Sequence, residues 1–191
     1  MARKSQFSTP PSPTKANTIA ALLVKGRSHH NSGQLPLAEV CYRQVLALDS
    51  NNADGLHLLG VIATQSDKAE EGIPLIKRAA GQRRRDTSIL VNLGVAYRKA
   101  KRPAEARDAY EAALKLKPDL WEAQFNLGQA LLDLGEFDRA IEIYRKCGAM
   151  KPADPEVHVN LGNVFKLMGD GDNAIAAYEE ALRLSGEMTQ A

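Results

Sequence analysis

Apolar and small side chains recur in this chain with a period of 34 residues, far longer than the period of any single helix or strand. The period is marked by five glycines that follow one another without insertion or deletion: Gly26, Gly60, Gly94, Gly128 and Gly162. Four of them directly follow a leucine: Leu59, Leu93, Leu127 and Leu161. Three residues after each glycine, one helical turn along the same face, come His29, Ala63, Tyr97, Leu131 and Phe165. The pattern predicts a first helix around each glycine.

A second set of positions repeats in the same register. Twelve residues after the glycine stand small side chains: Ala38, Gly72, Ala106, Ala140 and Ala174. Sixteen residues after it stand large ones: Tyr42, Ile76, Tyr110, Tyr144 and Tyr178. Positions twelve and sixteen share a helix face, and small residues there allow two helices to approach closely. The pattern therefore predicts a second helix in every unit.

Turn residues separate these helices. Within the units, short segments are expected to be turns, and several of them carry the Gly, Asn or Asp typical of a helix end: 31–35, 66–68, 101–103, 134–136 and 169–172. Between units, Pro118 and Pro152 cannot continue the preceding helix. A fixed period of this length is typical of a solenoid, in which each unit buries its apolar side against its neighbours.

The glycine, aromatic, alanine and proline positions together resemble the tetratricopeptide repeat family over residues 19–188. The resemblance implies an all-α fold, a right-handed α-solenoid of five helix-turn-helix units at 19–52, 53–86, 87–120, 121–154 and 155–188. The last three units match the family well. The first two are degenerate, because Lys25 and His29 replace apolar residues and Gly72 and Arg84 replace the usual alanine and proline.

The two ends of the chain lie outside the repeats. Residues 1–18 are rich in Ser, Thr and Pro, so that we expect a disordered tail, and 189–191 form a short C-terminal tail. The N-terminal tail has no apolar stretch long enough for a signal peptide or a membrane span, which makes the cytoplasm the expected location. The whole chain has a formal charge of +2, and the N-terminal tail contributes three cations to it: Arg3, Lys4 and Lys15. The repeats are thus close to neutral, which does not favour nucleic-acid binding.

Charge within the repeats is unevenly distributed. Residues 77–102 are strongly basic, with Asp86 as their one acidic residue, whereas the last two units are acidic. Such a polarised array could orient a partner by long-range attraction. The alternative is that the basic run is an ordinary solvated surface.

No combination of residues predicts catalysis or a cofactor. The four histidines do not gather, the adjacent His29 and His30 have no further ligands at zinc spacing, and 169–173 lacks the length and closing glutamate of a calcium loop. Cys41 and Cys147 lie three repeats apart and are expected to be buried apolar side chains rather than a disulfide or a metal site. The chain is therefore predicted to be no enzyme and to hold no metal or cofactor.

The recurrent polar feature is an asparagine two residues before the glycine in the three regular units: Asn92, Asn126 and Asn160. An amide offers both a donor and an acceptor to the peptide bond of an extended ligand. In the family the first helices line the inner, concave surface, and the row resembles the asparagine ladder of O-linked N-acetylglucosamine transferases. The alternative is that each amide bonds its own helix or a neighbouring one.

Other side chains at the family's contact positions complete the predicted groove. Phe125 is expected to be an open apolar anchor. Amides and cations that would line the groove beside it are Gln129, Asn163, Arg98, Lys99 and Lys166. The preferred hypothesis is a non-catalytic scaffold that binds an extended peptide or a partner helix here.

A second hypothesis makes the chain the substrate-targeting region of a larger or associated enzyme, such as a glycosyltransferase or a sulfotransferase. Its motivation is that no polar capping helix follows the last unit, although terminal units normally need one. The same feature leaves self-association through the last repeat open. Neither hypothesis includes a membrane or nucleic-acid partner.

Overall fold

A computed structural model of the protein describes residues 14–188, which form ten α-helices and no strand. The helices are α1 Lys15–Asn31, α2 Leu35–Leu48, α3 Ala53–Gln65, α4 Ala69–Gln82, α5 Thr87–Lys99, α6 Pro103–Leu116, α7 Trp121–Asp133, α8 Phe137–Met150, α9 Pro155–Met168 and α10 Gly171–Met188. Each helix packs mainly on the helix before it and the helix after it. The prediction of an all-α solenoid of five tandem units is confirmed.

The repeating glycine is the point at which the two helices of a unit touch. A Cβ atom on Gly128 would lie 2.7 Å from the ring of Tyr144, and one on Gly162 would lie 2.5 Å from the ring of Tyr178. Gly26 and Gly94 have the same relation to the tyrosines sixteen residues later. A side chain larger than hydrogen would therefore displace the ring, which explains why the glycine recurs at this position.

The second unit reaches the same contact with different residues. Ile76 replaces the tyrosine, and Gly72 replaces the alanine four residues before it. A Cβ atom on Gly72 would lie 2.5 Å from the carbonyl oxygen of Gly60, so that here backbone meets backbone. Gly72 in place of alanine therefore accompanies Ile76 in place of the larger tyrosine. With both changes the helices pack closely enough that Ile76 is fully buried.

The helix ends follow local capping chemistry. The helices α3, α5, α7 and α9 begin at the first residues of the sequence-predicted units 53–86, 87–120, 121–154 and 155–188. In contrast, α1 begins at Lys15, inside the segment 1–18 that was predicted to be disordered, because the hydroxyl of Thr14 accepts a hydrogen bond from the amide of Asn17. The remainder of that predicted tail, 1–13, and the C-terminal tail 189–191 lie outside the described residues.

Both cysteines are free and buried, as predicted. Burial raises the pKa of Cys147 to about 11, which keeps its thiol protonated and unreactive at neutral pH. Across residues 14–188 we find no helix whose length and apolar character would let it span a bilayer.

The first helices line one side of the array. Contacts join α3 with α5, α5 with α7 and α7 with α9, whereas successive second helices show no comparable series within 14–188. Helices that touch their equivalents in the next unit must lie on the inner side of a curved stack. The asparagine row therefore lies on helices of the inner side.

Candidate peptide-binding surface

Side chains on the inner surface meet across units when they are 35 residues apart, that is, one repeat and one residue. Three side-chain pairs show this spacing: His30 with Gln65 at 2.8 Å, His57 with Asn92 at 2.9 Å, and Arg98 with Asp133 at 3.0 Å. The same spacing recurs at the first three junctions of the stack. It decides which asparagine of the row meets a polar partner.

Asn92 is engaged with the preceding repeat. Its Nδ2 atom donates to Nε2 of His57 at 2.9 Å. Burial lowers the pKa of His57 below its ordinary 6.5, which favours the neutral imidazole that can accept this bond. The amide nitrogen of Asn92 is therefore used within the protein.

Asn160 forms its hydrogen bond within its own helix. The residue 35 positions before it is Phe125, which offers no polar atom, and Nδ2 of Asn160 instead donates to the carbonyl oxygen of Glu156 at 2.8 Å. The side chain is buried, with 9% of Asn160 exposed. This bond is the own-helix alternative considered for the row.

Asn126 is the open member of the row. The residue 35 positions before it is the buried Val91, and no hydrogen bond within residues 14–188 engages the Asn126 amide. The half-buried side chain lines a cleft of about 540 Å³ between the third and fourth repeats. The other residues of this cleft are Val95, Arg98, Lys99, Lys101, Pro103 and Asp133.

Phe125 is not an open anchor, and that prediction is wrong. Its ring is buried, with 7% of the residue exposed. It stacks on Trp121 with ring centroids 4.9 Å apart and meets the edge of Tyr144 at 5.9 Å. Phe125 is large enough to reach the tyrosine of its own unit, so that it belongs to the core rather than to the groove.

The cations of the cleft are partly paired. The Arg98 guanidinium donates through Nε to Asp133 at 3.0 Å and through Nη1 to the Oε1 atom of Gln129. Lys99 lies 3.7 Å from Asp67 of the second repeat. Lys101 is exposed at the left-handed position of a turn, with φ of 61°, and pairs with no acidic group in the described part of the chain. Arg98 and Gln129 are thus fixed, whereas Lys101 is available.

Farther along the surface, Asn163 and Lys166 lie in the last repeat. The Oδ1 atom of Asn163 accepts a hydrogen bond from the hydroxyl of Tyr178 at 2.8 Å. Lys166 is exposed. The predicted groove residues that lie together in the structure are Asn126, Gln129, Arg98 and Lys99. Asn163 and Lys166 lie apart from them.

The equivalent tyrosines of other repeats have no such partner. The hydroxyls of Tyr42, Tyr110 and Tyr144 are buried and unpaired within 14–188. Burial raises the pKa of Tyr110 and Tyr144 above the ordinary 10.0, which keeps them neutral. The residue after the glycine differs between the repeats. Asn163 supplies an acceptor in the fifth repeat, the third repeat has Val95, and in the fourth repeat the Oε1 atom of Gln129 accepts from Arg98 instead.

Four of the nine cations in the basic run 77–102 form ion pairs, namely Arg83, Arg98, Lys99 and Arg102. Arg83 makes two hydrogen bonds of 2.9 Å to Asp54 of its own repeat. Arg102 joins Glu70 of the preceding repeat at 3.2 Å and Glu105 at 2.8 Å. Exposed pairs such as these contribute little to the free energy of unfolding, because water screens them. They neutralise part of the charge of the run.

Sequence reasoning missed Asp133 and Lys101 as members of the cleft. The signal for Asp133 was present, because Arg98 and Asp133 are opposite charges 35 residues apart. Recognising it needed the spacing at which side chains meet across units. That spacing follows from the stacking geometry rather than from the repeat period itself.

Comparison with known proteins places these observations in a family. Two models described as "Tetratricopeptide repeat" match residues 91–155 and 155–187. A peroxisomal targeting signal receptor from Candida albicans is 33% identical over 93 residues, which are 49% of this chain and 16% of the receptor. The chain thus matches about a sixth of that relative's length.

Solved structures share the fold. A crystal structure of MamA superposes with a TM-score of 0.79 at 24% identity, over 92% of this chain and 96% of MamA. A second MamA structure gives 0.78 at 25% identity, over 87% and 97%. The PilF protein of Pseudomonas aeruginosa gives 0.75 at 20% identity, over 88% and 77%.

Proposed function

Because the chain belongs to the tetratricopeptide repeat family, we propose that it is a non-catalytic scaffold whose inner surface binds an extended segment of a partner protein. The binding site is centred on Asn126 in the cleft between the third and fourth repeats. Arg98, Lys99, Lys101 and Gln129 surround it. Asn163 and Lys166 extend the same surface toward the last repeat.

The observation that carries this proposal is the unpartnered amide of Asn126. Asn92 and Asn160 have the same place in their repeats, yet the first donates to His57 and the second to Glu156. Asn126 keeps a donor and an acceptor for the two halves of a ligand's peptide bond. An extended backbone needs such a contact because it carries no helix or sheet bonds of its own.

The charge of the cleft selects the ligand. Three cations, Arg98, Lys99 and Lys101, face one acidic residue, Asp133, around the lining. We infer that the bound segment carries a carboxylate near the backbone contact, where Lys101 reaches it. The peroxisomal relative is, by its name, a receptor for a targeting signal. Recognition of a protein segment is thus the class of function that this family resemblance favours.

Peptide selection tests the proposal. A displayed library of random peptides is panned against the full chain, and the selected peptides are then measured by calorimetry against variants. Asn126→Ala removes both hydrogen bonds, worth about 1 kcal/mol each, and is expected to weaken binding about tenfold or more. Lys101→Glu is expected to weaken acidic peptides and not neutral ones.

Asn160→Ala is the matched control, because it removes the same amide from a repeat in which that amide bonds its own helix. It is expected to change affinity less than Asn126→Ala does. Selected peptides that bind Asn126→Ala as tightly as the wild type, with helicity intact, would show that the cleft is not the site.

A further inference from the structure

Among residues 14–188, the end face of the last repeat is more exposed than the corresponding face of the earlier repeats. On α10, 59% of Ile175 and 73% of Leu182 are exposed. Tyr178 is half-buried, although Tyr42, Tyr110 and Tyr144 at the equivalent position are fully buried. The difference arises because in every earlier unit the following repeat covers this face. We call the exposed face of α9 and α10 the rear face.

The opposite end of the array presents a complementary strip. On α1 the exposed residues Ala20, Ala21, Val24 and Ser28 form one helical stripe that lines a shallow apolar groove. Val24 is 68% exposed, and on α2 of the same unit Leu37 is 49% exposed. We call the face formed by these residues the front face. In the four later units, the residues at the positions of Ala21 and Ser28 are buried, and those at the position of Val24 are buried or half-buried.

The internal junctions show a rule of size at one pair of positions. The residue 20 places after one glycine meets the residue five places before the next glycine. Leu46 packs on Gly55, where an added Cβ would lie 3.0 Å from Leu46, and Gly148 lies against Val157, where an added Cβ would lie 3.6 Å away. The same positions hold Ala80 with Ile89 and Leu114 with Ala123. Each junction therefore combines one large and one small residue.

The last and first repeats contain the two residues that the same rule would require at a junction between them. Leu182 stands 20 places after Gly162 and is large, while Ala21 stands five places before Gly26 and is small. If a second copy followed the first without a break in the 34-residue period, Leu182 would pack on Ala21 of that copy. This would be a fifth pair of the same kind.

The 35-residue spacing of the inner surface gives a second, independent match. In the pair of His57 with Asn92, His57 lies three residues before its repeating glycine and Asn92 two residues before the next one. Val159 has the place of His57 in the last repeat, and Val24 has the place of Asn92 in the first repeat. Both valines are exposed, Val159 to 40% and Val24 to 68%. At an end-to-end junction the two exposed valines would cover each other.

Charge favours the same junction. The last unit, 155–188, has six acidic and two basic residues. In contrast, Lys25 lines the front-face groove and α1 has no acidic residue, although Arg27 of the same helix faces the second repeat and pairs with Asp54. Opposite charges on the rear and front faces would attract the two ends of different copies, and like ends would repel.

From these matches we propose that copies of this chain associate end to end, with the rear face of one copy on the front face of the next and the repeat register continued across the junction. The partner is a second copy of this chain. Such a contact is heterologous and does not close on itself, so that chains of increasing length form as concentration rises.

Sedimentation velocity of the full chain tests this. The average mass of the wild type is expected to rise with concentration beyond that of a dimer. Leu182→Asp, which blocks the rear face, and Val24→Asp, which blocks the front face, are each expected to weaken association more than about tenfold and to sediment as monomers. Both residues are mostly exposed, so that both variants should keep the helical circular dichroism of the wild type.

Mixing the two variants decides the orientation. Val24→Asp keeps an intact rear face and Leu182→Asp an intact front face, so that the mixture is expected to form a one-to-one complex that grows no further. Leu116→Asp is the matched control, because Leu116 is an exposed leucine in the middle of the array, 39% exposed, and its replacement should leave association unchanged.

Three results would overturn the proposal. The wild type could stay monomeric up to the highest soluble concentration, which would leave the rear face to a different partner or to a further segment of a longer chain. Either single variant could still self-associate like the wild type, or the mixture could fail to form the complex. None of these results depends on whether the cleft around Asn126 binds a peptide.

Discussion

The amide nitrogen of Asn92 lies 2.9 Å from the Nε2 atom of His57, across the junction between the second and third repeats. This bond requires a neutral imidazole, and burial lowers the pKa of His57 below 6.5. Asn92 was expected to face a ligand on the inner surface. Instead it links the degenerate second repeat to the regular third repeat. The stack thus contains a junction whose strength depends on protonation.

This bond predicts a pH dependence of stability. The pKa of His57 is lower in the folded chain than in the unfolded one, so that the unfolded chain binds more protons in the interval between the two values. The contribution of His57 to the free energy of unfolding is therefore complete above about pH 6.5. It decreases as the pH is lowered through that interval. Thermal unfolding at a series of pH values measures the effect.

The control for this prediction is His57→Gln, which keeps an acceptor for Asn92 but does not titrate. The melting temperature of this variant is expected to fall less between neutral and mildly acidic pH than that of the wild type, because the other three histidines are unchanged. Equal pH profiles for the two proteins would contradict a role for His57.

The repeating glycine predicts opposite outcomes for two glycine replacements in the same repeat. Gly128→Ala places a methyl group 2.7 Å from the Tyr144 ring and is expected to destabilise the fold by about 1–3 kcal/mol through overpacking. Gly148→Ala places one 3.6 Å from Val157, an ordinary contact, and is expected to gain up to about 1 kcal/mol of helix propensity. Urea unfolding of both variants checks the contrast in sign.

Much of the fold follows from the sequence because a solenoid repeats one set of contacts. The positions of glycine and tyrosine suffice to place the two helices of each unit, and four first helices begin where the 34-residue units begin. The start of α1 did not follow, because it is set by the Thr14 hydroxyl and lies before the first repeated position.

The candidate site was less predictable because its side chains depend on contacts between repeats. Three asparagines share one place in the repeat, yet the residue 35 positions earlier differs: His57, Val91 and Phe125. That neighbour determines whether the amide meets a polar partner across the junction, as Asn92 does. Of the two asparagines with an apolar neighbour, Asn160 bonds its own helix and Asn126 stays open. Phe125 was misjudged for a related reason, since exposure on the inner surface depends on whether a ring reaches the Tyr144 core.

The tyrosine hydroxyls predict a second matched pair. Tyr144→Phe removes a buried hydroxyl that has no partner within 14–188, so that stability is expected to stay the same or rise by about 1 kcal/mol. Tyr178→Phe removes the 2.8 Å hydrogen bond to Asn163 and is expected to cost about 1 kcal/mol. A loss for Tyr144→Phe as large as that for Tyr178→Phe, in the same denaturation assay, would contradict this reading of the core.

A proline inside α4 predicts a stabilised variant. Pro74 is exposed, and its missing amide hydrogen leaves the carbonyl of Glu70 without the usual helical bond. Pro74→Ala restores that donor and is expected to raise the free energy of unfolding, by up to about 3 kcal/mol. An unchanged melting temperature would indicate that the surrounding repeats have already adapted to the proline.

The register of the end-to-end contact predicts the sign of a charge effect at Leu37. Inside the array, Arg139 binds Glu111 of the preceding repeat at 2.8 Å, and continuation of that register places Glu179 of one copy opposite Leu37 of the next. Leu37→Arg is therefore expected to strengthen self-association and Leu37→Glu to weaken it, each by a few-fold, since exposed ion pairs are worth at most about 1 kcal/mol. The difference between the two variants should shrink at high salt. If both substitutions changed the sedimentation of the chain in the same direction, the loss of the leucine and not the charge would be responsible, and Glu179 would not lie opposite this position.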